Sequence, residues 1–222
     1  MTTLGQEILA GLQEYDSATL FNAAVKGFGL PNEDYTDHSI RCLLPNLGPF
    51  LGYAVTAELT TNDPDSPALD WADYYETLER TPGPLVAVLK DVDSRPGRGA
   101  SFGDGMAALH RRLGAVGAVV DGTVRDLDGI ERVGLPVMGW GRVPGHGQFN
   151  LTRVNAPLTV GQMRVRPGDL VFADGDGCFC FAPERAADIL RLAAEVREYE
   201  SKVHASYEAA DFSAASTRRR DA

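Results

Sequence analysis

Three apolar runs, set apart by intervals of helical length, constrain the fold more than anything else in this chain. LVAVLKDVD (85–93), AVGAVVDG (115–122) and LPVMGWG (135–141) are apolar almost throughout. A strand with one wet face would alternate polar and apolar residues, so continuous apolar runs suit strands covered on both faces. Between them lie GMAALHRRLGA and VRDLDGIERVG, which read as helices, the first stopped by Gly114. Strand–helix–strand–helix–strand over residues 84–140 predicts a parallel α/β unit.

The flanks are consistent with that centre. Residues 6–26 read as two helices, with Asp16-Ser17 offering the N-cap of the second and Gly27 and Gly29 stopping it. Two short strands are expected around Pro45–Gly48, the second covering Gly52–Leu59. WADYYETLERT follows as a short helix, capped by Asp70 or Ser66. DSRPGRGASFG, rich in Gly, Arg and Ser, is expected to be a mobile loop leading into the helix at 105. Beyond residue 140 come short strands broken by Gly, Pro and Asp turns. The last element is a long amphipathic helix with Ile189, Leu190, Ala193 and Val196 in register. With no repeat and no linker, residues 1–222 are expected to form one domain, disordered from about 210 onward.

Charge and cysteine content narrow the function. The net charge is −10, and the sole basic run, Arg218-Arg219-Arg220, sits in the tail, so nucleic acid is not an expected partner. No targeting pattern and no apolar run of membrane-spanning length occur, and a cytoplasmic location is expected. Three cysteines do not make a disulfide framework. Cys178 and Cys180 alternate in CFCF, and without a second Cys/His pair nearby they read as buried thiols.

Residues 103–126, GDGMAALHRRLGAVGAVVDGTVRD, carry the candidate chemistry. In open parallel sheets, ligands collect where strand C-termini meet helix N-termini, so Asp104 and Arg125-Asp126 are expected to converge. Gly103, Asp104, Gly105 and Met106 open a helix whose first N–H groups lack partners and suit a carboxylate. Arg125 supplies a fork of donors for a carboxylate or enolate oxygen. Asp126 and Asp104 are hard oxygen ligands of the kind Mg²⁺ accepts. A divalent metal beside an arginine is an electron sink for a 2-oxo acid, which points to retro-aldol cleavage or decarboxylation. The same pattern also suits a plain helix cap and a solvated Arg-Asp pair, and spacing alone leaves both open.

The words GD-x20-RD, GAVGAVVDGTVRD, GLPVMGWG and VRPGDLVFADGDG, with the final helix, carry a family resemblance over residues 15–205. On them the chain resembles the 4-hydroxy-4-methyl-2-oxoglutarate aldolase family, which also holds the regulator of ribonuclease activity A (RraA) proteins. The resemblance implies a three-layer α/β fold, a parallel βαβ unit followed by a β-rich half and a long C-terminal helix. It also implies a homotrimer or homohexamer with sites between subunits. By the same resemblance Asp126 binds Mg²⁺ or Mn²⁺ directly and Asp104 does so through water. Arg125 contacts the pyruvyl carbonyl, and Gly103–Met106 receive the carboxylate. A Glu of a neighbouring subunit's final helix completes the site, Glu200 before Glu198. The expected substrate is a small 2-oxo acid.

One departure stands out: the acid that aldolases carry three residues after the Arg-Asp pair is Gly129 here, as in the ribonuclease regulators. That keeps a non-catalytic regulator as an alternative to the lyase. Dehydration or tautomerisation of a sugar-derived acid, by the same enolate chemistry, is a second alternative. Arg95 and Arg98 are candidates for a second acidic group or for plain solvation. His146 is a candidate proton relay or an ordinary loop residue, and His38, His110 and His204 are expected at the surface.

Overall fold

The computed structural model describes residues 4–29 and 33–219. It opens with helices α1 (Gln6–Gln13) and α2 (Ser17–Phe28). Asp16 caps α2, its carboxylate accepting from the Thr19 N–H at 2.6 Å. The helix runs through Gly27 and ends at Gly29, whose φ of 85° suits glycine. Gly27 is therefore internal, contrary to expectation. A Cβ there would lie 2.6 Å from the Leu192 side chain, so the glycine serves close helix packing.

A two-residue strand β1 (Arg41–Cys42) precedes the long β2 (Phe50–Thr60), helix α3 (Trp71–Arg80) and β3 (Leu85–Asp91). Then come β4 (Ala100–Phe102), α4 (Asp104–Arg112), β5 (Ala115–Val124), α5 (Leu127–Val133) and β6 (Val137–Arg142). Short strands follow: β7 (Asn150–Val154), β8 (Leu158–Val160), β9 (Met163–Val165), β10 (Leu170–Ala173) and β11 (Cys178–Phe181). The last long element is α6 (Ala186–Tyr207). Ala214–Arg219 form a 3-10 helix, and the remainder of the basic run, Arg220, lies outside the described residues.

Among the described residues the main sheet has nine strands, with the path β1-β6-β5-β3-β2-β10-β11. β2, β3, β5 and β6 are parallel, as the three apolar runs required. The two strands expected around Pro45–Gly48 do not pair with each other, since β1 joins β6 while β2 joins β3. A short connection at 43–49 sends them to separate places in the sheet.

The layers follow from which side chains each face buries. On one face Leu12, Leu20, Tyr74, Ala107, Ile130 and Ile189 join the sheet residues Leu85, Leu89 and Phe102, so α1 through α6 all cover that side. On the other face Val86, Val88 and Val119 meet Leu158, Val160, Met163 and Val165 of the two-stranded β8–β9 ribbon. Helices, sheet and ribbon make three layers, and both faces of the parallel strands are dry. Within β11 the two cysteines face the ribbon layer and Phe179 and Phe181 the helical layer, as alternation dictates.

Candidate functional site

The site is assembled by a strand the sequence did not predict. β4 runs parallel to the end of β5, pairing Ala100 with Thr123 and Phe102 with Val124. The Arg125 N–H donates to the Phe102 carbonyl at 2.9 Å, so Gly103 is brought beside Arg125 despite 21 intervening residues. A Cβ on Gly103 would lie 3.2 Å from Asp126 Oδ2 and 3.4 Å from Arg125 Cγ and Nε. Both side chains therefore rest against this one glycine, where a larger residue would crowd them.

The segment leading into β4 is not a free loop either. The N–H groups of Ser94 and Gly97 donate to the carboxylates of Asp63 and Asp91, at 2.6 and 2.8 Å. Arg98 forms ion pairs with Asp93, whose side chain is fully buried, and with Asp63 at 2.9 Å. Arg98 is thus paired with two acids of the protein itself, while about one-third of its side chain stays exposed to solvent. Asp91, the next acid inward, has its carboxyl pushed up by burial, an effect that the Gly97 and Asp93 N–H groups oppose. Backbone N–H donors paired with acids, not mobility, give these residues their shape.

Asp126 occupies the left-handed region, φ 58° and ψ 38°. Asp enters that region more readily than most residues, and non-glycine cases there cluster at functional turns. The conformation lets α5 start at once after β5, the Ile130 N–H donating to the Asp126 carbonyl at 2.9 Å. Its carboxylate is free of capping duty and pairs with Arg125 Nε at 3.1 Å. Arg125 and Asp126 are about one-third and two-fifths exposed, so the pair is open to a ligand.

Asp104 opens α4, and no side chain caps that helix, which leaves its first-turn N–H groups facing the approach. The Asp104 carboxylate leans over α5: a Cβ on Gly129 would come within 2.5 Å of Asp104 Oδ2. Gly129, where the resemblance implies an acid, is thus the residue that gives Asp104 room.

Two hollows meet at Asp104 and Arg125. One, of about 550 Å³, is lined by Asp126, Asp128, Gly129, Arg132 and Arg142 as well. The other, of about 330 Å³, is lined by Gly103, Gly105 and Met106 with Trp71, Tyr75 and Phe149. Sequence reasoning missed the aromatic residues: α3 is far away in the chain, and WADYY reads as an ordinary helix face.

The other candidates lie elsewhere. Within the chain, Glu200 accepts from Asn22 Nδ2 at 3.3 Å on the α2–α6 side and lines neither hollow. Glu198 pairs with Lys202 at 2.6 Å. His146 is exposed, with Nδ1 2.8 Å from the Gly147 carbonyl. His110, expected at the surface, is fully buried. Its Nδ1 lies 2.7 Å from the Met106 carbonyl and its Nε2 2.9 Å from the Tyr74 hydroxyl. A carbonyl only accepts, so Nδ1 carries the proton and Nε2 accepts from Tyr74. Burial pushes the His110 pKa down to about 4. Had the helical face of α4 been matched to the core, His110 would have fallen beside Ala107 and betrayed itself.

Among the described residues no three His, Cys, Asp or Glu side chains converge as a metal cage. The donor set at the site is two carboxylates with open space around them. That fits a hard divalent cation of the Mg²⁺ type, which takes one or two carboxylates and keeps several waters. Among the described residues no helix is long and apolar enough to cross a membrane.

Comparison with known proteins agrees with this fold. The family model described as RraA-like (Aldolase/RraA) matches residues 18–179. An uncharacterised protein of Methanocaldococcus jannaschii is 26% identical over 185 residues, 81% of this chain and 85% of the relative. A protein of Albidiferax ferrireducens, provisionally named a 4-hydroxy-4-methyl-2-oxoglutarate aldolase, is 32% identical over 136 residues, 58% of this chain and 73% of its own length. Among solved structures, Streptomyces coelicolor RraAS2, described as an unusual member of the RNase ES inhibitor RraA family, has the same fold. It superposes with a TM-score of 0.74 at 24% identity, covering 92% of this chain and 98% of the other.

Proposed function

From the premise that this chain belongs to the RraA-like family, we propose that it is a divalent-metal-dependent lyase cleaving a C–C bond of a small 2-oxo acid. The observation that carries this is the convergence on Gly103: β4 pairing sets an uncapped helix start, Arg125 and Asp126 around one open point.

Each residue then has a task. The N–H groups of Gly103, Asp104, Gly105 and Met106 bind the substrate carboxylate, favoured by the helix terminus. Arg125 donates to the 2-oxo oxygen, where negative charge grows as the bond beyond C3 breaks. Its pairing with Asp126 through Nε fixes the guanidinium plane and leaves the terminal nitrogens for substrate. Asp126, with Asp104 through water and Glu200 of a neighbouring copy in a homotrimer or homohexamer, would hold Mg²⁺ or Mn²⁺. Such an ion would supply Lewis-acid stabilisation of the enolate charge. The Asp104 side chain makes no ion pair among the described residues. Through a water it accepts the proton that leaves the 4-hydroxyl as the C3–C4 bond opens, and the bond electrons pass to C3 and the oxo oxygen. In decarboxylation of a 2-oxo diacid such as oxaloacetate the same electron sink serves, with CO₂ leaving in place of the aldehyde or ketone.

Pyruvate release from a panel of 2-oxo acids, coupled to NADH oxidation, tests this proposal. Turnover should vanish with chelator and return with Mg²⁺ or Mn²⁺. Arg125→Ala and Asp126→Ala should each lose about 100-fold or more in kcat with the fold intact. Full activity in both variants would refute the assignment.

Gly129 favours a second reading, a regulator that binds another enzyme without chemistry of its own. An acid at 129 would collide with Asp104 as it stands, so the position where the resemblance implies an acid has no room for one. A stoichiometric protein partner recovered by pull-down, with no 2-oxo acid cleaved, would select this alternative.

A further inference from the structure

Across Arg125 and Asp104 from the larger, charged hollow lies the hollow walled by Trp71, Tyr75, Met106 and Phe149. We propose that it receives the far end of the oxo-acid substrate, and that this end is an uncharged apolar group, aryl or branched alkyl. This rests on the placement of the oxo-acid head at Gly103 and Arg125 given above.

The two hollows differ in what they can desolvate. The larger one presents two acids and two arginines, Asp126, Asp128, Arg132 and Arg142; hydrated charged groups suit such walls, and an apolar group gains little there. In the smaller one the only charged residues are Asp104 and Arg125, both occupied with the reacting end. A second carboxylate entering it would find no cation of its own, would face Asp104, and would lose water against aromatic rings. An apolar ring gains contact area at each of the four large side chains.

The wall is built before any ligand arrives. Trp71 Nε1 donates to the Phe149 carbonyl at 2.9 Å, which fixes the indole. Tyr75 stacks on Trp71 at 5.7 Å between centroids with 28° between planes. Tyr74 packs edge-on behind Trp71 at 5.8 Å, is fully buried, and is held by its hydrogen bond to His110. His110 in turn binds the Met106 carbonyl in the first turn of α4. Ring contacts and hydrogen bonds together therefore join the aromatic wall to the helix start that would bind the carboxylate, and a pocket rigid in this way selects by shape.

The test is calorimetric titration with Mg²⁺ present, using 2-oxo-4-phenylbutanoate and 2-oxoglutarate. They share one head and differ only in phenyl against carboxylate at C4. The phenyl ligand should bind about tenfold tighter or more. Trp71→Ala should cut that ratio about fivefold. Tyr75→Ala, which removes no hydrogen bond seen among the described residues, should do the same if the tryptophan variant folds poorly. The proposal is overturned if 2-oxoglutarate binds as well or better, if neither ligand binds, or if both variants fold and keep the ratio. Lack of pyruvate release with the phenyl preference intact would count against the lyase and leave this inference standing. Turnover with a preference for the diacid would do the reverse.

Discussion

At the scale of single residues, His110 shows how burial converts a titratable group into a structural one. Its folded pKa is pushed down to about 4 by desolvation, against an ordinary value of 6.5. The unfolded chain therefore binds the proton more readily, and stability falls as pH drops from about 6.5 toward 4, then levels off. The span is on the order of 3 kcal/mol. Urea midpoints measured across that window should fall accordingly in the native protein, and the slope should largely flatten in His110→Gln. An unchanged slope in the variant would show that other groups govern acid sensitivity. Asp126 makes the complementary point. Its left-handed backbone is tolerable for Asp, and it frees a carboxylate that would otherwise cap α5.

At the scale of elements, α3 and β4 decide the site. β4 is three residues long, yet its pairing with the end of β5 closes the distance between Gly103 and Arg125. Helix α3 carries Trp71 and Tyr75, and it begins at Asp70, whose carboxylate accepts from the Ala72 N–H at 2.9 Å. Asp70→Ala removes that cap beside the aromatic wall. The expected loss is about 1 kcal/mol, a fall of roughly 2–4 °C in Tm for a chain of this size. Differential scanning fluorimetry would register it, and a Tm within experimental error of the native value would mean that tertiary packing alone holds the first turn of α3.

At the scale of the whole molecule, one sheet is shared by two cores. Trp71 packs against the helical core and Trp140 against the ribbon core. Strands β2, β3 and β5 contribute side chains to both, so neither core can dissolve alone, and we propose that residues 1–222 unfold as one cooperative unit. Trp71→Phe and Trp140→Phe leave a single reporter on either face. Their fluorescence midpoints in urea, each compared with the far-UV circular dichroism of the same variant, should coincide. Separate transitions would divide the chain into two units.

The sequence by itself determined what continuous stretches determine. Apolar runs at 85–93, 115–122 and 135–141 specify buried parallel strands because each loses its hydration cost only when covered on both faces. The Asp16 cap of α2, the buried cysteine pair and the placement of Asp104 and Arg125-Asp126 at one sheet edge were legible for the same local reasons. What tertiary structure alone decided is how distant segments meet. A strand as short as β4 carries almost no periodic signal, and its stability comes from its partner. His110 looks like a surface residue until α3 is packed against it, and Arg98 stays at the surface but with its charge tied to Asp93 and Asp63. Trp71 and Tyr75 line the hollow at the start of α4 only because the fold carries α3 there. Contacts between residues far apart in sequence depend on the shape of everything between them, and no local pattern records that shape.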